Sequence, residues 1–182
     1  MNLYGDRGNA IALRARCQRR GIACTILPVN IGDPLDPGEV DIVLVGGGQD
    51  REQRRIAPDL LRRGPALREA VDAGLPVLAV CGGYQLFGHR YVDHDGSVIP
   101  GIGVFDAETR HPGPVADRCI GDIVVETPFG EIVGFENHGG RTYLAPGQEP
   151  LGTVRLGRGN NAEDRTEGAR REIGRASCRE RV

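Results

Sequence analysis

The stretch that most constrains the fold runs from Leu75 to Gly88, LPVLAVCGGYQLFG. A short apolar run entered through Pro76 and closed by two glycines predicts a buried parallel strand of about six residues, because both faces of such a strand are covered and no polar alternation is needed. Cys81 stands at its end. Gly82 and Gly83 follow, and Tyr84, Gln85, Leu86 and Phe87 are spaced for a helix packing back on the sheet. A strand, a sharp turn carrying one nucleophile and a helix together present a side chain at the carboxyl edge of a parallel sheet. The helix N-terminus behind the sulfur favours thiolate over thiol. The same pattern also fits a small buried cysteine that only ends a strand.

A chain of 182 residues suffices for one domain with a real core and is too short for two full ones. With 39% hydrophobic and 26% charged residues it reads as a globular protein. A net charge of -2 gives no electrostatic reason to expect nucleic acid or an anionic membrane as partner. No apolar run approaches the ~20 residues of a membrane span and no signal-peptide order opens the chain, so a cytoplasmic location is expected. The cysteines Cys17, Cys24, Cys81, Cys119 and Cys178 form an odd set without CxxC pairs. That set fits reduced thiols better than disulfides or zinc, so no metal is expected; no cofactor is expected either.

From the start, MNLYGDRGN reads as a loop with Asn9 capping a helix from Ala10 to Arg20, which Gly21 stops. Ile22 to Val29 reads as a strand, Asn30 to Gly38 as a loop and DIVLV, Asp41 to Val45, as a second buried strand. Gly46, Gly47 and Gly48 follow it directly, ahead of a helix from Arg51 to Arg63 and a shorter one from Gly64 to Gly74. A glycine triplet between strand and helix leaves N–H groups to meet an anion, as a phosphate cradle or an oxyanion hole. It lacks the Lys-Ser/Thr of a P-loop and the GxGxxG order of a dinucleotide site. It also fits a turn that needs only positive φ. His89 to Gly103 reads as polar and turn-rich. GDIVVE (Gly121 to Glu126), EIVGFE (Glu131 to Glu136) and Arg141 to Leu144 alternate as antiparallel strands.

The segments NLYGDRGN, VGGGQDREQ, CGGYQLFG, GDIVVETPFGEIVGFENHGGRTY and GRGNNAEDRTEG resemble the triad glutamine amidotransferases, and within them the cobyric acid synthase-like branch. The resemblance implies an α/β, flavodoxin-like fold: an open, mainly parallel sheet with helices on both faces, here with an antiparallel extension. It implies hydrolysis of L-glutamine and transfer of ammonia to a Mur-ligase-like subunit in a heterodimer, which amidates the D-glutamate of the peptidoglycan precursor lipid II. Cys81 would attack the carboxamide and pass through a thioester. Donors for the oxyanion would be the N–H of Gly82 and one from the Gly46 to Gly48 turn, at Gly47 or Gly48; losing one such donor in other enzymes costs about 3 to 4 kcal/mol. Arg118 matches the arginine that holds the substrate's α-carboxylate, with a solvated surface charge as the competing reading. Two other readings compete: a domain of a cobalamin-pathway amidase, and a non-catalytic flavodoxin-like binding module.

The departures concern the base. A thiolate of this type needs a histidine, and the family's lies in a Y-x-H-G-P segment after GNN that has no counterpart here. His89, His94, His111 and His138 are present, and the ENHGGR setting of His138 points to a loop-ordering role. A chain with the nucleophile and without the base is expected to be nearly inactive. Because no strand precedes the first helix, the start is also expected to be incomplete. The domain is therefore expected over residues 1–171. Residues 172–182, EIGRASCRERV, have neither periodicity nor family continuity and back-translate into a common sequencing-adapter oligonucleotide, which leaves Cys178 without a role. Recloning the locus is expected to yield a different continuation after Arg171; a genome that encodes the same tail rejects this reading.

Overall fold

The computed structural model describes residues 6–113 and 115–171, so the NLYG start and the 172–182 tail lie outside the described residues. Two compact units account for them, one up to Tyr84 and one from Gln85.

In the first unit a helix from Asp6 to Arg19 (α1) begins earlier than the sequence suggests, so Asn9 lies inside it instead of capping it. Its end is as expected: Gly21 has φ 71, its N–H reaches Gln18 O and the Ile22 N–H reaches Cys17 O, which satisfies the last carbonyls. The strand expected from Ile22 to Val29 is not formed, because no strand among the described residues pairs with it; a ladder, not an apolar run, makes a strand.

Two three-residue strands, Val43–Val45 (β1) and Val77–Ala79 (β2), pair in parallel with Leu44 opposite Leu78. Both are shorter than expected. Between them runs one helix, Asp50–Asp72 (α2), where two were expected. Pro58 and Pro65 lie within it, each a cost of about 3 kcal/mol to a helix interior. The reason the helix continues is its buried stripe, Gln53, Ala57, Leu60, Gly64, Leu67 and Val71, which keeps alternating steps of four and three across both prolines. Asp59 ties the preceding loop to α2, since it accepts from Arg63, Arg62 and the N–H of Gly32. Those bonds, the Arg63 one foremost, hold its carboxyl down at about 2.

The second unit is mostly antiparallel. Strands Arg90–Val92 (β3), Val98–Pro100 (β4) and Ala107–Arg110 (β5) are joined by Arg141–Leu144 (β8) in the order β4-β3-β5-β8, with β3 and β5 parallel. The segment from His89 to Gly103, read as turn-rich, thus contains the β3–β4 hairpin. Its strands are too short to show alternation, and Gly96 at φ 79 makes the turn. Leu86, Phe87, Tyr91, Ile99 and Ile102 are buried in this unit.

The second sheet has the order β10-β9-β6-β7, built from Cys119–Thr127 (β6), Gly130–His138 (β7), Gly152–Leu156 (β9) and Thr166–Glu167 (β10). β6 and β7 are the two expected strands, lengthened at both ends, with Ile123, Val125 and Val154 clustered beneath. The α/β class therefore holds, with parallel and antiparallel sheets together, and among the described residues the antiparallel part is the larger.

The GNN segment is a polar plug. Buried Asn160 donates to Thr166 Oγ1 and Gly168 O and accepts from the Gly168 N–H. Asn161, equally buried, donates to Thr142 O and Asp164 and accepts from the N–H groups of Glu163 and Asp164. Each amide is fully used, which is what burial of such a group requires. Beside them, Glu136 accepts the N–H groups of Arg158 and Gly159 at 2.8 and 2.9 Å.

Burial, with the Glu136 charge nearby, pushes the Glu167 carboxyl up to about 7. A carboxyl raised from 4.5 keeps its proton in the folded state while the unfolded chain ionises, so stability falls as pH rises from about 4.5 to about 7. Glu167→Gln removes that penalty. It is expected to raise unfolding stability at pH 8 by about 2 kcal/mol and to change little at pH 4, as read by urea melts at both pH values.

Candidate active site

Cys81 follows β2 by one residue and has φ 53, the left-handed region that a non-glycine residue adopts only under tertiary constraint. The helix Gly82–Phe87 (α3) starts immediately after it. Cys81 is exposed, whereas Gly82 and Gly83 are buried, so the turn pushes the side chain out and the backbone in. This is the strained elbow between strand and helix that the sequence suggests.

The glycine triplet lies against that elbow. A Cβ on Gly82 would sit 2.6 Å from Gly48 O, and one on Gly83 would sit 2.7 Å from Val45 O and 2.8 Å from Gly46 O. Register explains the meeting: Val45 and Ala79 are paired, the Val80 N–H reaches Val45 O at 2.9 Å, and both chains leave their strands at one edge. The positive φ in this corner belongs to Cys81 and not to the triplet. Close backbone approach, rather than a left-handed turn, is thus what glycine serves here. Gly47 and Gly48 are buried with it.

One further side chain belongs to this corner. Gln53, in the first turn of α2, is only 1% exposed and its Nε2 donates to Gly48 O at 3.3 Å. Its signal was available within VGGGQDREQ, as the single polar residue at the head of an otherwise apolar or glycine stripe.

In the second unit, Arg118 is exposed and anchored at one side. Its Nε and Nη2 donate to Asn137 Oδ1 at 3.4 and 3.1 Å, and Nη2 also reaches Asn137 O. Its Nη1 lies 3.2 Å from where a Cβ on Gly139 would stand, with His111 Nε2 at 3.5 Å from the same point. His111 Nδ1 accepts the Gly113 N–H, which fixes the ring proton on Nε2. Arg141, buried, braces the same bends by donating to Gly139 O and Asp117 O. The guanidinium thus has one side fixed by Asn137 and the other directed past a glycine, a posture suited to a carboxylate. Asn137 and Arg141 were not singled out from the sequence, although both lie in the ENHGGR stretch.

All four histidines belong to the second unit, and each has a partner there. His89 Nε2 meets Asp106 at 2.9 Å and His94 Nδ1 meets Asp93 at 2.8 Å. His138 Nδ1 donates to Gly140 O at 2.8 Å, and burial lowers its pKa. That bond orders the Gly139–Gly140 turn, the role the sequence suggests for His138. Among the described residues no group of three or more His, Cys, Asp or Glu side chains is arranged to hold a metal.

Comparison with known proteins places these features in context. The model of the CobB/CobQ-like glutamine amidotransferase domain matches residues 1–177. The chain is 45% identical over 169 residues to lipid II isoglutaminyl synthase (glutamine-hydrolyzing) subunit GatD of Staphylococcus aureus, covering 92% of this chain and 68% of that protein. It is 43% identical to the subunit of the same name from Streptococcus pneumoniae, covering 92% and 65%. The chain thus spans about two thirds of the length of both. Cobyric acid synthase of Nocardia farcinica is 37% identical over 68% of this chain and only 24% of its own length. A crystal structure of a glutamine amidotransferase superposes with a TM-score of 0.54 at 17% identity, over 79% of this chain and 73% of the other, which shows a shared fold.

Gly83→Ala tests the close approach directly. A methyl group at under 3 Å from two backbone carbonyls forces the strand ends apart, at an expected cost of about 1 to 3 kcal/mol. Gly134→Ala, whose Cβ would meet only Ile123 Cγ2 at an ordinary 3.7 Å, is the control and should leave the melting temperature nearly unchanged.

Proposed function

The chain belongs to the CobB/CobQ-like glutamine amidotransferase family, and we propose that it releases ammonia from the side-chain carboxamide of L-glutamine through a thioester on Cys81. The observation that carries this reading is the exposed Cys81 at a left-handed elbow, with the glycine triplet packed against the residues that follow it.

The Cys81 thiolate adds to the carboxamide carbon, forming the C–S bond and moving the carbonyl electron pair onto oxygen. The resulting oxyanion accepts from the Gly82 N–H, at the start of α3, and from Gly47 or Gly48, between β1 and α2. Collapse restores the carbonyl and breaks the C–N bond, and the leaving amine takes a proton to depart as ammonia. Water then adds to the thioester, the C–S bond breaks, and glutamate leaves. Arg118 holds the substrate's α-carboxylate, a task that fits a guanidinium anchored on one side by Asn137.

The proton carrier is not assigned to any of the four histidines, each of which is engaged within the second unit. The ammonia serves a Mur-ligase-like subunit that amidates the D-glutamate of lipid II. The two relatives covered over about two thirds of their length support this assignment over cobalamin synthesis, whose relatives match over about a quarter. A cytoplasmic site of action agrees with free Cys17, Cys24, Cys81 and Cys119, and no helix among the described residues is long and apolar enough to cross a membrane.

The test is covalent. With the ligase subunit present, 6-diazo-5-oxo-L-norleucine is expected to load one equivalent onto Cys81, located by peptide mass spectrometry. Cys81→Ser is expected to take up none and to reduce ammonia release by at least about a thousandfold. A wild-type protein left unlabelled sinks the proposal.

A further inference from the structure

Gln53 is out of pattern. Its stripe on α2 continues with Ala57, Leu60, Gly64, Leu67 and Val71, so a side chain at this position needs only to be apolar to pack. A carboxamide buried there loses its hydration and is tolerated only where it makes hydrogen bonds. Its Nε2 donates to Gly48 O, the carbonyl that ends the glycine triplet. The same Nε2 lies 2.9 Å, and Cδ 3.1 Å, from the point where a Cβ on Gly82 would stand. One planar amide therefore touches both bends of the corner: the triplet on one side and the residue after the nucleophile on the other.

We infer that Gln53 is a positioning residue for oxyanion stabilisation. The inference rests on the reading of Cys81 as the glutaminase nucleophile. Holding Gly48 O fixes the plane of the peptide that follows the triplet, and with it the direction of the N–H groups just before it. Packing against Gly82 stops that peptide from swinging toward the triplet. Donors aimed in advance at a developing negative charge need not reorganise when it forms, and this is where such sites gain their rate. Gln53 does not touch the reacting atoms; it keeps the donors from rotating. Without it the Gly48 carbonyl is buried and short of a donor, and the triplet turns to satisfy it.

Two reactions at the same sulfur separate this role from simple packing. Hydrolysis of γ-glutamyl hydroxamate proceeds through a tetrahedral oxyanion, whereas alkylation by iodoacetamide displaces iodide directly and forms none. Both are measured on the full-length protein with its ligase subunit, for wild type, Gln53→Met, which keeps the volume, and Gln53→Glu, which keeps the shape and sets an acceptor against Gly48 O. Folding of each variant is checked by its melting temperature, and if the Met variant does not fold the Glu variant carries the test. In the folded variants kcat for the hydroxamate is expected to fall about ten- to a hundredfold with KM within about twofold, while the alkylation rate stays within about twofold. Hydrolysis and alkylation falling together, or neither changing, overturns the role of Gln53. A wild type that is alkylated at Cys81 and never hydrolyses the hydroxamate overturns the glutaminase reading itself.

Discussion

Contact between two backbone bends without side chains governs the first unit. The Gly48 carbonyl occupies the space that a Cβ on Gly82 would need, and the Val45 and Gly46 carbonyls do the same at Gly83. Everything at the carboxyl edge of β1 and β2 follows from that approach. The strands can be three residues long because their exits are locked together as well as their ladders. Cys81 has nowhere to go but outward, and the chain accepts φ 53 there because Gly82 and Gly83 are already seated. A corner of this kind is made by exclusion: removing Cβ atoms creates room for the two bends to meet.

The second unit is held by a different means. Its antiparallel sheets leave turns and crossings whose polar groups are buried, and these are satisfied in closed sets. Asn160 and Asn161 stitch the GNN turn to β8 and β10, and Glu136 takes up the N–H groups of Arg158 and Gly159. Such sets stabilise only when complete, because a half-satisfied buried amide costs more than an apolar replacement. The posture of Arg118 is a product of the same logic. Asn137 and the glycines after His138 decide which of its nitrogens face outward, and His138 and Arg141 hold those glycines in place.

Much of this was legible in the residues. The elbow at Cys81, the glycine triplet after an apolar strand, the stop at Gly21 and the β6–β7 hairpin follow from local rules of spacing and turn chemistry. Three segments depart from these local rules for one cause. Ile22 to Val29 looks like a strand and has no strand partner among the described residues; Gly64 looks like the start of a second helix and lies in one helix whose buried stripe continues past it. Asn9 looks like a cap and sits within a helix that begins at Asp6. In each, a local preference of at most a few kcal/mol was outweighed by what the rest of the chain did or did not supply.

The sequence by itself determined the chemistry on offer: one cysteine set at a strand end before two glycines, a triplet of glycines at another strand end, and an arginine ahead of a strand pair. These are properties of residue type and neighbour order, which need no distant contact to be read. Only the tertiary structure decided that Gly48 and Gly82 would touch, that a glutamine five residues beyond the triplet would reach both, and that Asn137 would turn Arg118. Those outcomes depend on strand register and on which polar groups are left to be satisfied once the core has closed. Both are settled between segments far apart in the chain, where periodicity and propensity carry no information.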